Sequence, residues 1–247
     1  MKSSRRHHAW AALWLAATLA LPAAAQNMGW STITPSITGT DTLGLVLREQ
    51  MQQRAPVAAQ GGAAGPSGVG EQASAALRFA PSKARRQQNL AAFVEKTRRV
   101  DPENASGLER LFASGDVIEK VAPMIRPIGL RIDDLADTYA LWWISAWNAT
   151  QGINPTPSRA TASAVRQQAA RALMATPGIA GASDAAKQEF AEALLVQVMF
   201  IDAAVDHHQG SASQLRALAR AVQQGAGRMG LDLAAMRLTE AGFVPSR

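Results

Sequence analysis

The side chains best able to do chemistry in this sequence gather at Asp202, Asp206, His207 and His208. The chain has four histidines and no cysteine. His7 and His8 fall in a start that reads as an export signal, so His207 and His208 are the only imidazoles of a processed chain. Any serine–histidine pair must use one of those two, and thiol nucleophiles and cysteine-ligated zinc are excluded. Asp202 and Asp206, four apart, share a helix face. His208 falls on the inward stripe with Phe190 and Ile201, and His207 points elsewhere. One helix cannot aim all four at one ion, and the HExxH spacing is missing. The plainer reading is that two histidines close a helix C-terminus, where the dipole favours positive charge. Neither a metal nor a cofactor is expected.

A second constellation is Asp137, Trp143 and Trp147, with His208 as a partner from elsewhere in the chain. Trp142, Trp143 and Trp147 suit an aromatic wall for a ligand, with Asp137 beside them as a buried acid. Aromatic stripes at helical spacing are more often core, because they bury large areas. The expectation is therefore that Trp142 is core and that Asp137 is an exposed carboxylate on a polar edge. The glycines at 61–70 do not make a phosphate loop, since GxxxxGK[ST] is absent and no strand precedes them.

These residues must be positioned by helices. Within 133–152, Leu135, Tyr139, Trp142, Ala146 and Ala149 form one stripe, widened by Ala136, Ala140, Trp143 and Trp147. Asp134, Asp137, Ser145 and Asn148 form a narrow polar edge opposite. Asp133 and Asp134 open this helix, Gly152 closes it, and its apolar breadth makes it central. Around it the punctuation predicts helices from Ser82, Asp101-Pro102, Asp116, Thr156-Pro157, Ser183-Asp184 and Ser211 or Ser213. The helix from Ser211 or Ser213 should fray at Gly225 and Gly227, a short closing helix should follow Asp232, and Phe243 should anchor the tail. The predicted fold class is all-α: one bundle-like domain, 79–247, around the Trp-rich helix. Ahead of it come an N-terminal arm, 26–53, holding an extended stretch and a short helix, and a flexible Gly/Ala/Pro linker, 54–78.

Residues 1–25 follow the secretory plan: Lys2, Arg5 and Arg6, an apolar run from Ala9 to Leu21, then Ala23-Ala24-Ala25. Cleavage between Ala25 and Gln26 is expected, by the general secretory route. Arg5-Arg6 admits a twin-arginine signal, but His7-His8 stand where apolar residues would strengthen it. Removing these residues lowers the formal net charge from +6 to +3. That is too mild for a nucleic-acid partner, and Arg85-Arg86 and Arg98-Arg99 read as solvated faces. No segment of the mature chain is long and apolar enough to span a bilayer. A periplasmic or secreted location follows.

The motifs F-x-P-S and R-x-x-N-L-A-x-F-V (Phe79 to Val94), D-P at Asp101, P-x-G-L (Pro127 to Leu130) and A-D-x-Y-A-x-W-W-x-x-A-W (Ala136 to Trp147) are distinctive together. With L-T-x-x-G-F at Leu238 to Phe243, they resemble a family of exported proteobacterial proteins known only as a domain of unknown function. The resemblance implies a helical, exported, bacterial protein and carries no catalytic residues. The favoured function is a non-enzymatic periplasmic or secreted protein that binds another protein or an envelope component. The alternative is an enzyme or small-ligand binder with a site between the 133–151 and 184–208 helices, using Asp137, Trp143, Trp147 and His208.

Overall fold

Helix caps set the architecture. In the computed structural model, which describes residues 75–246 apart from Val100 and Pro177, seven α-helices follow one another among the described residues. The Ser82 hydroxyl accepts from the Arg85 amide and starts α1 (Lys83–Arg98). Asp101 and Pro102 start α2 (Pro102–Ala113), and Asp116 starts α3 (Val117–Ile125). A 3₁₀ turn, Arg126–Ile128, ends on Gly129 in the left-handed region, at φ 86°. The chain then enters α4 (Leu135–Thr150) with Asp134 as its cap. Next come α5 (Arg159–Met174), α6 (Asp184–His207) capped by Ser183, and α7 (Ala212–Arg228) capped by Ser211. The fold is all-α apart from a small hairpin, and α4 lies at its centre, packed on α5, α6 and α7. The expected signal, the arm and residues 54–74 of the linker lie outside the described residues.

Several boundaries differ from expectation. Helix α5 begins two residues late because the Ser158 hydroxyl, accepting from the Thr161 amide at 3.0 Å, is its cap; Pro157 stays in the loop. Helix α7 runs through Gly225 and Gly227. A glycine costs a helix about 1 kcal/mol relative to alanine, and burial of Leu218, Val222, Ala226 and Met229 outweighs that. The expected closing helix is a single 3₁₀ turn, Leu233–Ala235, followed by an antiparallel hairpin of β1 (Met236–Thr239) and β2 (Gly242–Pro245). The helical body also takes in residues before Phe79, since Leu77 is fully buried and Arg78 bridges to Asp134.

The largest correction is the polar edge of α4. Every residue of that helix except Trp147 and Thr150 is buried. Asp134 is 0 % exposed and Asp137 2 % exposed, so Asp137 is not the solvated carboxylate expected. Arg86 corrects the basic-pair reading in the same way. It is 3 % exposed, and it binds Glu192 at 2.8 Å, Asp116 at 2.7 Å and Glu119 at 2.8 Å, tying α1 to α3 and α6. Helical periodicity sorts polar from apolar residues. It does not tell a polar residue facing water from one facing a charge on another helix.

Candidate functional site

Asp134 and Asp137 hold the start of α4. The Asp134 carboxylate accepts from the Ala136 amide at 2.9 Å, from the Asp137 amide at 3.3 Å and from the Arg166 guanidinium at 3.1 Å. Asp137 accepts from the Arg131 amide at 2.9 Å and pairs with Arg166 Nε. Burial, and after it the nearby Asp134 charge, push Asp137 up to about 7 against the pull of Arg166. Both carboxylates are spent on joining α4 to α5.

The interface of α4 with α6 is a packed seam. The Trp142 indole, 1 % exposed, donates to Gln197 Oε1 at 2.8 Å. One helical turn on, Ser145 shares a hydrogen bond with Asp202, and the two helices run the same way. Burial pushes Asp202 up to about 7, Ser145 opposes this, and Asp206 adds to it. Asp206 accepts from Asn154, and His208 caps the end of α6 against the His207 ring. With Trp142 level with Gln197, His208 lies about 16 residues, or ~24 Å of helix rise, beyond the level of Asp137. The structure does not bring Asp137 and His208 together. Among the described residues no three His, Cys, Asp or Glu side chains are placed to hold a metal ion.

Trp143 and Trp147 do meet, at the other end of α4 and under the hairpin. Phe243 stacks on Trp143 with ring centres 4.7 Å apart and meets Trp147 edge-on at 6.3 Å. Both indoles donate to Met236, Trp143 to its sulfur at 3.2 Å and Trp147 to its carbonyl at 3.0 Å. On the far side of the hairpin, the Gln168 side chain accepts from the Phe243 amide at 2.9 Å and donates to its carbonyl at 2.7 Å. One amide side chain of α5 thus closes the edge of β2 as a neighbouring strand would.

The edge of β1 is closed less completely. The Ser246 amide donates to the Ala235 carbonyl, and the register pairs Arg237 with Val244 and Thr239 with Gly242. Antiparallel alternation then turns the backbone groups of Met236 and Leu238 outward. The Met236 carbonyl is taken by Trp147. The half-buried Leu238 keeps an N–H and a C=O with no hydrogen-bond partner among the described residues.

That edge borders an open groove of about 290 Å³. Ile144, Trp147 and Asn148 of α4 line it, with Ile153, Pro155 and Pro157 of the following loop. Thr161, Leu238, Thr239 and Glu240 complete it. Its polar groups are mostly used internally: Asn148 donates to the Pro155 carbonyl, Thr161 meets Ser158, and Thr239 donates to the Gly242 carbonyl. Glu240 is left as a solvated carboxylate at the rim. Ile153, 44 % exposed, is one of two exposed large apolar residues among the described residues. The arrangement can bind apolar groups and pair with a strand; it assembles no nucleophile with a base.

The sequence model of a family of unknown function, DUF6683, matches residues 4–245. The chain belongs to that family. The DUF6683 match takes in the motifs of residues 79–152 and 238–243 that carry the resemblance and extends it to the N-terminal residues. No curated protein and no solved structure matches this DUF6683 chain. Among its described residues no helix is long and apolar enough to cross a membrane. Of the residues singled out from the sequence, Trp147 lines the DUF6683 groove, Trp143 supports the hairpin beside it, and Asp137 and His208 lie elsewhere. Ile153, Pro155 and Leu238 were missed. The N-P-T-P loop was visible, but only the fold lays a strand alongside it.

Proposed function

We propose that this chain is an exported, non-enzymatic binding protein whose groove takes an extended peptide segment of a partner protein or envelope component. The reading rests on one juxtaposition: the apolar floor of Trp147, Ile153, Pro155 and Pro157 beside a Leu238 backbone that has no hydrogen-bond partner among the described residues. Extended peptides add to a free sheet edge through main-chain hydrogen bonds and place alternate side chains in adjoining pockets. At about 290 Å³ the groove lies just under the ~300–1,000 Å³ of small-molecule sites. Being open as well, it suits one or two partner side chains better than an enclosed substrate. Export is supported by the basic start, the apolar run and the Ala23-Ala24-Ala25 site, with Gln26 as the mature N-terminus.

The test is capture from an envelope fraction with the tagged mature protein, run beside Ile153→Asp. A bound set present with the wild type and lost with the variant supports the groove. An identical set with both proteins, or none with either, overturns it. Intact mass of the exported protein checks the Gln26 terminus, and retention of residues 1–25 in the soluble cytoplasm overturns export.

A further inference from the structure

We propose that the groove selects its extended partner by charge order. The partner strand runs antiparallel to β1 and places an apolar residue opposite Leu238. A basic residue stands two positions before that residue and an acidic one directly after it. The inference rests on the groove reading above and adds the direction and sequence class of what the groove takes.

The register of the hairpin sets this order. The Leu238 N–H and C=O turn away from β2, and one residue of an antiparallel strand, placed opposite, satisfies both. The Met236 carbonyl is already taken by Trp147. Directly opposed residues carry their side chains on one face of the sheet. Leu238 lines the groove and packs on the core, so the residue opposite it turns toward the floor of Trp147 and Ile153, where an aliphatic group fits. Glu240, two residues on, lines the groove as Leu238 does, and it alone is charged among the described residues that do so. Arg237, on the other side of Leu238 in sequence, is exposed and by alternation faces the opposite way. Neither Arg237 nor Glu240 has an ion pair or a side-chain hydrogen bond among the described residues. An antiparallel strand meets Glu240 first, Leu238 next and Arg237 last. Opposite charges facing across strands attract and like charges repel, each pair changing binding by up to about fivefold. A parallel strand would need the reverse order, and parallel pairing is the less stable per residue.

Short capped peptides built on K-T-L-E, on its charge-exchanged form E-T-L-K and on its reversed form E-L-T-K test this, with binding to the mature protein read by fluorescence anisotropy. At low salt K-T-L-E should bind about tenfold more tightly than E-T-L-K, and more tightly than E-L-T-K. The advantage should shrink as salt rises. In the double variant Arg237→Glu, Glu240→Lys the preference should pass to E-T-L-K. Both substitutions are at exposed positions, so the variant should melt close to its parent, and thermal unfolding checks that the fold is kept. Equal binding of the three peptides, tighter binding of the reversed one, an unchanged preference in the double variant, or no binding of any peptide overturns the proposal. A preference for K-T-L-E that Ile153→Asp leaves intact overturns it too, since the charges would then act away from the groove. If the charge order fails while Ile153→Asp still abolishes partner capture, the binding function stands and only the sequence class of the partner is lost.

Discussion

At the N-terminal end of α4, Asp134 and Asp137 are buried, and their oxygens are taken by Arg166, by the Arg131 amide and by the first-turn amides of the helix itself. At the C-terminal end, Trp143 and Trp147 pack their rings under the hairpin and spend both N–H groups on Met236, yet the Leu238 backbone of the strand beyond them has no hydrogen-bond partner among the described residues and lies beside an apolar floor. Charge and aromatic area therefore divide one helix between two tasks. Buried charges must be matched group for group, because an unmatched one costs several kcal/mol, and that end is closed to anything else. Burial of apolar ring area needs no such group-for-group match, so stacking on Phe243 and the two bonds to Met236 hold a short hairpin in place while leaving a strand edge open.

The largest effect is expected between the two ends. Trp142 fills the seam with α6, and Trp142→Ala should cost roughly 3–5 kcal/mol, the usual range for truncating a large buried aromatic. Thermal unfolding followed by circular dichroism measures it; a variant melting like its parent would mean the aromatic stripe is not core. At the charged end, Arg166→Met removes the cation that Asp134 and Asp137 share and leaves Asp134 only its 3.7 Å contact with Arg78, at a cost of about 3 kcal/mol. Denaturant unfolding of Arg166→Met beside Asp137→Asn sharpens the contrast. If Asp137 lay on a solvated edge, the asparagine would change nothing; with its bonds to Arg166 and the Arg131 amide it should cost about 1–2 kcal/mol.

The difference between the ends also explains how much the sequence disclosed. Caps are local, and Ser82, Asp101, Asp116, Asp134 and Ser183 start helices where a side-chain oxygen meets an amide two or three residues on. The burial of Trp142 was legible for a similar reason, since its neighbours on the stripe are fixed by the helical period. The partners of Asp137 and Arg86 were not legible. They stand 29 residues away at Arg166 and 106 residues away at Glu192, and no period links such positions. The hairpin failed differently. M-R-L-T offers only two alternations, and what holds it is Gln168 and two indoles rather than its own propensity. The groove inherits that failure, because half of it is hairpin.

A smaller effect is expected with pH. Burial raises Asp202 and Asp137 to about 7, well above the ordinary carboxylate range near 4. Between about pH 4 and pH 7 the folded chain then holds protons that the unfolded chain has lost, so these two groups make stability fall as pH rises through that window and leave it flat above. Asp202→Asn keeps a partner for Ser145 and removes one of the two titrations. It should melt above the wild type at pH 8, with the gap narrowing toward pH 4. Melting temperatures of both proteins across that range decide it, and a constant gap would mean Asp202 titrates normally.

The smallest effect on stability is expected at the open end. Ile153 is 44 % exposed, and no side-chain hydrogen bond or ion pair involves it. Ile153→Asp therefore exposes no cavity and leaves no buried group unpaired, and surface changes of that kind stay within about 0.5 kcal/mol. Its consequence should lie in binding instead. A carboxylate at that position, with Glu240 also at the rim, gives the groove two negative charges where an aliphatic side chain would seat, and burying either against such a group is costly. Equal melting of variant and parent, together with loss of partner capture, is the expected pair of results. A variant that melts several degrees lower would place Ile153 in the scaffold, and the contrast between a closed and an open end of α4 would fail at the residue that best represents the open one.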